Sequence, residues 1–179
     1  MPPYRVNPFS GGPTTMIIIK QAKPEDIEAI AGLAEEMDSF YGETTTQPIE
    51  LRIRQINEAI FSDLPAAHAI LAWDGADLTG FASYSFLWPA IGLTRSMYLK
   101  ELYVATDARR RSIGRLLMRR LFYIASQHDC SRVEWTTDQD NFDAQQFYAE
   151  LGVSVSASKL FYRVDGDDLR EQAWGRGRG

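Results

Sequence analysis

Clustered arginines just after a hydrophobic segment of this 179-residue chain indicate chemistry with an anion. Residues 98–105 form an aromatic and aliphatic run, which predicts a buried strand. From residue 113 onward, apolar residues recur at steps of three and four, which predicts a helix with one core face; they are Ile113, Leu116, Leu117, Leu121, Ile124 and Ala125. No acidic residue separates Asp107 from Asp129, and the arginines between them are Arg109, Arg110, Arg111, Arg115, Arg119 and Arg120.

The position of these arginines, at the start of a helix, favours a bound anion. A helix N-terminus already carries about half a positive charge, so each added cation costs roughly 0.3–1 kcal/mol there. A bound phosphate removes that conflict and accepts hydrogen bonds from the free N–H groups of the first turn. The alternative is a solvated basic face that only improves solubility.

The segment Arg109-Arg110-Arg111-Ser112-Ile113-Gly114 resembles the acetyl-CoA-binding motif of the GNAT superfamily of N-acetyltransferases, Arg/Gln-x-x-Gly-x-Gly/Ala. Gly114 matches the second motif glycine, whereas Ser112 replaces the first and Arg110 stands where glycine is frequent. The strands at 78–86 and 133–137 and the signature N-x-x-A-x-x-F-Y-x-x-L-G from Asn141 follow in family order. The similarity covers about residues 16–164 and is closest in layout to the spermidine/spermine (diamine) N-acetyltransferase group.

This resemblance implies the GNAT fold, an α/β (α+β) domain with a mixed, mostly antiparallel central sheet flanked by helices. Strands are predicted at residues 16–20, 67–73, 78–86, 98–105 and 132–137, with a last extended stretch at 153–164. Helices are predicted at 24–38, 48–61, from 113 onward and at 142–151. We expect a flexible extension at 1–15, the acetyltransferase domain at 16–165 and a tail at 166–179.

Composition restricts the class of protein. The formal net charge is −5, with 45% hydrophobic and 24% charged residues, so we expect a globular protein with no nucleic acid partner. Without an apolar run of about 18 residues, we expect no membrane association. The single cysteine, Cys130, fits a reducing compartment, so the predicted location is cytoplasmic.

The resemblance also implies roles for individual residues. Those that would bind acetyl-CoA are Leu102, Tyr103, Val104, Arg109, Arg110, Arg111, Ser112, Ile113, Gly114, Arg115, Asn141 and Phe147. Tyr148 matches the frequent general acid that protonates the CoA thiolate, although a tyrosine on an apolar helix face can also be a packed ring. Asn141 can in addition cap its helix.

The general base is less directly matched. Relatives in the diamine group often carry an acid pair before the L-Y-V-like strand residues, whereas this chain has Lys100-Glu101. Glu101 matches the second acid and is the candidate base, acting through water. A structural salt bridge, or a pathway without a dedicated base, remains the alternative.

For the acceptor, the first helix closes with an acidic and aromatic segment that family geometry places at the substrate side. The candidate substrate-binding residues are Glu35, Asp38, Tyr41 and Trp88; the acids are also typical of a solvated helix end. His68 and His128 have no companions at metal-ligand spacing, so we expect no metal.

The predicted function is acetyl transfer from acetyl-CoA to a primary amine, in particular a small cationic amine, by direct attack on the thioester in a homodimeric enzyme. Two alternatives stay open. One is a non-catalytic acyl-CoA-binding regulatory domain, and the other is a protein or peptide N-acetyltransferase.

Overall fold

The structure is a computed structural model that describes residues 4–5, 16–43, 47–156 and 158–175. The chain divides into two compact units, Met1–Thr136 and Thr137–Gly179. The strands are β1 (Tyr4–Arg5), β2 (Ile17–Gln21), β3 (His68–Asp74), β4 (Asp77–Leu87), β5 (Arg95–Val104) and β6 (Cys130–Glu134). The helices are α1 (Ile27–Phe40), α2 (Ile49–Ile60), α3 (Ile113–Gln127), α4 (Phe142–Glu150) and α5 (Gly166–Trp174).

The first unit is built on one sheet whose strands lie in chain order from β1 to β6. Neighbouring strands are antiparallel from β1 to β5, and β5 pairs with β6 in parallel across the α3 crossover. The predicted mixed sheet with flanking helices is therefore confirmed. Within the predicted extension 1–15, Tyr4–Arg5 pairs with β2, and the rest of that segment lies outside the described residues.

Alternate residues of β4 and β5 contact helices on opposite faces of the sheet. Tyr103, which is paired with Phe81, reaches α1 through its hydroxyl. Gly80, one residue from Phe81, faces α3: a Cβ there would lie 3.3 Å from Ile113 Cγ2. All six apolar α3 residues that predicted its core face are buried, which confirms that pattern.

Strand β5 carries a β-bulge against β4 and then separates from β6. Ser83 pairs with Glu101 and Tyr84 with Leu99, so Lys100 is the extra residue of a β-bulge. The β5–β6 pairing ends at Tyr98 and Glu134, and β5 continues to Val104 beyond it. Strand β6 ends three residues before its predicted position, where the two strands diverge.

The second unit contains α4 and α5. The predicted α4 is confirmed, and Asn141 caps it by accepting a hydrogen bond from Ala144 N at 3.0 Å. No strand forms in the described residues of 153–164, where Leu160, Phe161 and Tyr162 are 80%, 66% and 84% exposed. Helix α5, which sequence patterning assigned to a tail, begins at Gly166 with two acids in its first turn that favour a helix N-terminus.

Candidate active site

The basic loop between β5 and α3 has an unusual backbone. Arg110 and Ser112 have φ values of 61° and 62°, in the left-handed region that L residues enter at a cost of about 1–2 kcal/mol. These are the two positions at which the motif carries or favours glycine. Arg110 and Ser112 thus adopt a conformation that glycine enters without this cost.

Two of the predicted phosphate-binding arginines have internal contacts. Arg109 Nε donates to the Val104 carbonyl at 3.1 Å, and its guanidinium lies 4.1 Å from the Phe40 ring centroid. Arg111 Nη2 forms a 2.5 Å ion pair with Asp74. These two side chains fix the loop to α1 and β3.

Arg110 and Arg115 are exposed beside the start of α3. The first hydrogen bond that enters this helix runs from Leu116 N to the Ser112 carbonyl at 3.0 Å, so the preceding amides are not used within the helix. Ser112 makes no side-chain cap, and the first turn has no acid. Exposed cations and helix amides together have the donor chemistry that a pyrophosphate requires.

The same end of β5 carries the candidate base. Glu101 pairs with Ser83 and shares a sheet face with Tyr103, the face that α1 covers, while Lys100 is exposed at the bulge. In the part of the chain that the structure describes, β5 has no β6 partner after Tyr98. Leu102, Tyr103 and Val104 therefore lie on a strand edge to which an extended amide ligand can add.

A contact network that sequence reasoning missed joins α1 to this strand end. Glu36 Oε1 accepts from the Tyr103 hydroxyl at 3.0 Å and from Thr106 N at 2.8 Å. The Thr106 backbone hydrogen bond is the main cause that lowers the pKa of Glu36 below its usual 4.5. Burial raises the pKa of the Tyr103 hydroxyl. Glu36 is thus a structural carboxylate, and its separation of 67 residues from Tyr103 left no local signal.

The acceptor-side candidates fall in different places. Asp38 lines a cleft of about 450 Å³ between α1 and α2 and pairs with Arg52, Oδ2 to Nη1, at 2.8 Å. Glu35 is partly buried and Tyr41 is 52% exposed at the end of α1. Trp88 lies after the Leu87–Ser96 end of the β4–β5 pair, opposite the end where Gly80 meets Val104, and donates to the Leu93 carbonyl at 3.0 Å.

The residues of the second unit keep their predicted local arrangement. Asn141 starts α4, and the Phe147 and Tyr148 rings lie 5.2 Å apart on it, both partly buried. The capping role of Asn141 is confirmed, whereas the roles of Tyr148 and Phe147 toward a ligand stay predictions.

Neither histidine belongs to a metal-ligand group. His68 packs against Tyr84, with ring centroids 5.4 Å apart, and His128 against Phe86 at 4.7 Å. Among the described residues, no group of three or more His, Cys, Asp or Glu side chains is placed to hold a metal ion. Within the same residues, no helix is long and apolar enough to cross a membrane.

Comparisons with known proteins point to one enzyme family. The model of the acetyltransferase (GNAT) family matches residues 31–153, more than half of the chain. The D-amino-acid N-acetyltransferase HPA3 of Saccharomyces cerevisiae is 29% identical over 84% of this chain and 91% of its own length. The thialysine N-epsilon-acetyltransferase of Mus musculus is 23% identical over 87% and 96%.

A solved structure gives the same result at the level of the fold. The integron cassette protein VCH_CASS6 from the mobile metagenome of V. cholerae superposes with a TM-score of 0.83 at 30% identity, over 88% of this chain and 98% of its own. The loop after β5, the strand order and the family match lead to one assignment. The chain belongs to the GNAT family and is an acetyl-CoA-dependent N-acetyltransferase.

Proposed function

We propose that this enzyme acetylates a primary amine of a small cationic acceptor by direct attack on the thioester. The observation that carries the proposal is the exposed pair Arg110 and Arg115 beside the start of α3, next to the part of β5 that, among the described residues, has no β6 partner. In this assignment the pyrophosphate of acetyl-CoA lies at the loop, with the backbone of 109–114 as donors. The amide groups of the pantetheine arm add to the β5 edge at Leu102–Val104.

The reaction requires one group that accepts a proton and one that donates a proton. The amine nitrogen bonds to the acetyl carbon and loses a proton, the C–S bond breaks, and the thiolate gains a proton. Glu101 is the acceptor of the amine proton, through a water molecule, because its side chain is on the α1 face of β5. Tyr148 is the donor to the thiolate. Asn141 and Phe147 position the ligand from α4.

The acidic character of the molecule favours a cationic acceptor. The net charge is −5, and Asp38 and Glu43 line the cleft between α1 and α2. The named relatives act, by their names, on D-amino acids and on thialysine, which carry amines. Glu35 and Tyr41 extend this acceptor side at the end of α1. A protein or peptide acceptor is the competing proposal. The two relatives are named for small-molecule acceptors, which disfavours it.

The direct test combines binding with turnover. Calorimetry with acetyl-CoA should show that Arg110→Ala/Arg115→Ala weakens binding and flattens its salt dependence. The matched control is Arg119→Ala, which removes an exposed arginine further along α3. Thiol release on adding small amines should require acetyl-CoA and fall with the double variant. If the double variant and the control bound acetyl-CoA with equal affinity, the loop would not be part of the binding site.

We also propose that the enzyme is a cytoplasmic homodimer. The second unit exposes a run of large apolar side chains, among them Val155 at 90% and Tyr162 at 84%, which is typical of a covered surface. Analytical ultracentrifugation should give twice the mass of one chain, and Leu160→Asp/Tyr162→Asp should reduce it to one. A monomeric wild-type enzyme would contradict this.

A further inference from the structure

The basic loop is held to the sheet by one mostly buried acid. Asp74 is the last residue of β3, and its backbone pairs with Ile17 of β2 on one side and with Asp77 of β4 on the other. Its side chain is 13% exposed, and Oδ2 accepts the ion pair from Arg111, whose side chain is 42% exposed. Because Asp74 is fixed in the sheet, its carboxylate is a rigid anchor for the more exposed arginine.

The register of the sheet brings this acid next to the loop. Gly80 pairs with Ala72 of β3 and with Val104, the last residue of β5. The turn between β3 and β4 therefore extends beyond the end of β5, where the loop begins. Ala105 N donates to the Thr79 carbonyl at 2.9 Å, so the chain leaves β5 along this hairpin.

The anchor acts on the strained part of the loop. Arg110 and Ser112 have φ values of 61° and 62°, and Arg111 lies between them. Left-handed residues other than glycine persist only where the surrounding contacts hold them. Arg109 bonds to the end of β5 and Arg111 to Asp74, so both neighbours of Arg110 are held. Successive residues of alternating handedness direct their N–H groups to one side, which forms an anion-binding concavity.

The same ion pair determines which arginine is available to a ligand. Asp74 Oδ1 is fully buried and has no hydrogen-bond partner in the described part of the chain, while Oδ2 is paired with Arg111. Moving Arg111 toward a phosphate would leave a mostly buried carboxylate without this counter-ion, which is strongly destabilising. Arg111 therefore stays paired with Asp74, whereas the side chain of Arg110 is exposed.

We propose that Asp74 is a positioning residue for acetyl-CoA. Through Arg111 it holds the loop in its ligand-binding conformation, and the Arg111 side chain does not contact the phosphates. This inference rests on the proposed placement of the pyrophosphate at the loop. Without the anchor, only the fraction of molecules that keeps the loop conformation binds, and the apparent Kd rises by the inverse of that fraction.

The test is calorimetry with acetyl-CoA on Asp74→Asn, Arg111→Gln and the paired variant that carries both changes. Each single change should raise Kd about 10-fold, as expected if about one molecule in ten keeps the loop conformation. The paired variant should bind no more weakly than the single variants, because the two residues act as a unit. In steady-state thiol release, kcat at saturating acetyl-CoA and KM for the amine should change less than about threefold.

Direct phosphate binding by Arg111 predicts the opposite sign. Asp74→Asn would then free the guanidinium and lower Kd, and the losses of the two single changes would not coincide. The matched control is Asp77→Asn, which removes the same charge from an exposed position of the same hairpin and should not raise Kd. A lower Kd for Asp74→Asn, or an equal rise for Asp77→Asn, would overturn the positioning role.

Salt dependence and folding are measured on the same variants. The paired variant keeps the net charge of −5, so its affinity should vary with salt as that of the wild type does, and a flatter dependence would mean that Arg111 contacts phosphate. Thermal unfolding reports whether the variants fold. If Asp74→Asn is unfolded, the paired variant is decisive, because it leaves no unpaired charge buried.

The failure of this inference differs from that of the proposed function. Unchanged Kd for Asp74→Asn together with weaker binding by Arg110→Ala/Arg115→Ala would overturn the role of Asp74 alone. Unchanged Kd in both would remove the pyrophosphate from the loop and overturn the proposed site itself.

Discussion

At the scale of single residues, some charged side chains of this site hold the backbone through their contacts, and others are exposed at the start of α3. Arg109, Arg111 and Glu36 are used inside the protein, while Arg110 and Arg115 are exposed to solvent. All of these residues are charged, and sequence spacing did not distinguish the two groups. The contacts of Glu36 and Arg111 cross long stretches of sequence, 70 residues between Glu36 and Thr106 and 37 between Arg111 and Asp74. Such pairings follow from the fold and carry no local periodicity.

Replacing Tyr148 by Phe tests the general acid. Loss of the hydroxyl should lower kcat by about 10²-fold and leave acetyl-CoA affinity within a few fold. Tyr162→Phe removes a hydroxyl from an 84% exposed ring in the same unit and should change neither quantity. Steady-state thiol release with calorimetry measures both. Unchanged kcat with lower stability would make Tyr148 a structural hydroxyl.

Ser112→Gly tests the strained loop. Because Ser112 has φ 62°, replacing it by glycine removes steric strain from the folded state. Glycine also increases the conformational entropy of the unfolded chain, which offsets part of this stabilisation. We expect stabilisation by about 0.5 kcal/mol, a rise in Tm of about 1–2 °C. Ser126→Gly, inside α3, should instead lower Tm. A lower Tm for Ser112→Gly would mean that its hydroxyl makes a contact that outweighs the strain.

Glu36→Gln tests the carboxylate that links α1 to the loop. The folded pKa is lowered, so the charged form adds stability above the unfolded pKa of about 4.5 and loses it as pH falls through the folded pKa. The Tm advantage of the wild type over Glu36→Gln should therefore be full at pH 7 and shrink below about pH 4.5. Glu28→Gln, an exposed acid of α1, should show no such trend. A difference that is constant from pH 7 to pH 3 would contradict the linkage.

At the scale of elements, β5 organises the site. Its first half pairs with both β4 and β6, and the bulge at Lys100 follows. Among the described residues, its second half has β4 alone as a strand neighbour. The element's hydrophobic pattern predicted a buried strand, and the apolar period of α3 predicted its core face. Neither pattern specifies how β5 pairs with β4 and β6. The position of the bulge, and the residue at which β5 and β6 separate, could therefore not be predicted.

In the second unit, the sequence pattern predicted an extended stretch at 153–164 that does not form a strand among the described residues. Residues 160–162 have the apolar and aromatic character of a strand, yet they are exposed and unpaired within the described residues. β propensity depends on a neighbour that covers the side chains, and sequence does not say whether one exists. Helix α5 was missed because its polar composition lacks the apolar stripe that identifies a packed helix.

Gly80→Ala tests how closely β4 approaches its neighbours. A Cβ at Gly80 would lie 2.9 Å from the Tyr103 carbonyl oxygen and 3.4 Å from Leu117 Cδ1. Backbone cannot move away cheaply, so we expect a loss of about 1–3 kcal/mol in the free energy of unfolding. The control is Gly32→Ala in α1, where a Cβ meets nothing within 4 Å and helix propensity should raise stability. Denaturant unfolding of both variants measures the difference, and similar effects would contradict the close approach.

At the scale of the whole molecule, the chain is acidic overall but has a basic segment at residues 109–120. The net charge is −5, yet the loop and first turns of α3 are basic. An acidic body raises the local concentration of cationic acceptors, while the basic loop attracts a phosphate-bearing ligand. The two ligands of an acetyl transfer have these opposite charges, so one chain can attract both without a separate domain for each.

This charge distribution predicts how activity depends on salt and pH. Diamines, polyamines and lysine-like amines should be better acceptors than aromatic amines or acidic amino acids, and the preference should shrink as salt screens charges beyond about 10 Å at 0.1 M. An alkyl amine with pKa near 10 is neutral in about one molecule in a thousand at pH 7, so kcat/KM should rise from pH 7 toward pH 9. Nearby carboxylates stabilise the ammonium form, which moves the rise to higher pH. Thiol release across an amine panel, at two salt concentrations and several pH values, measures all three trends. A neutral or anionic amine as the best acceptor would overturn the acidic acceptor side and leave the acetyltransferase assignment intact.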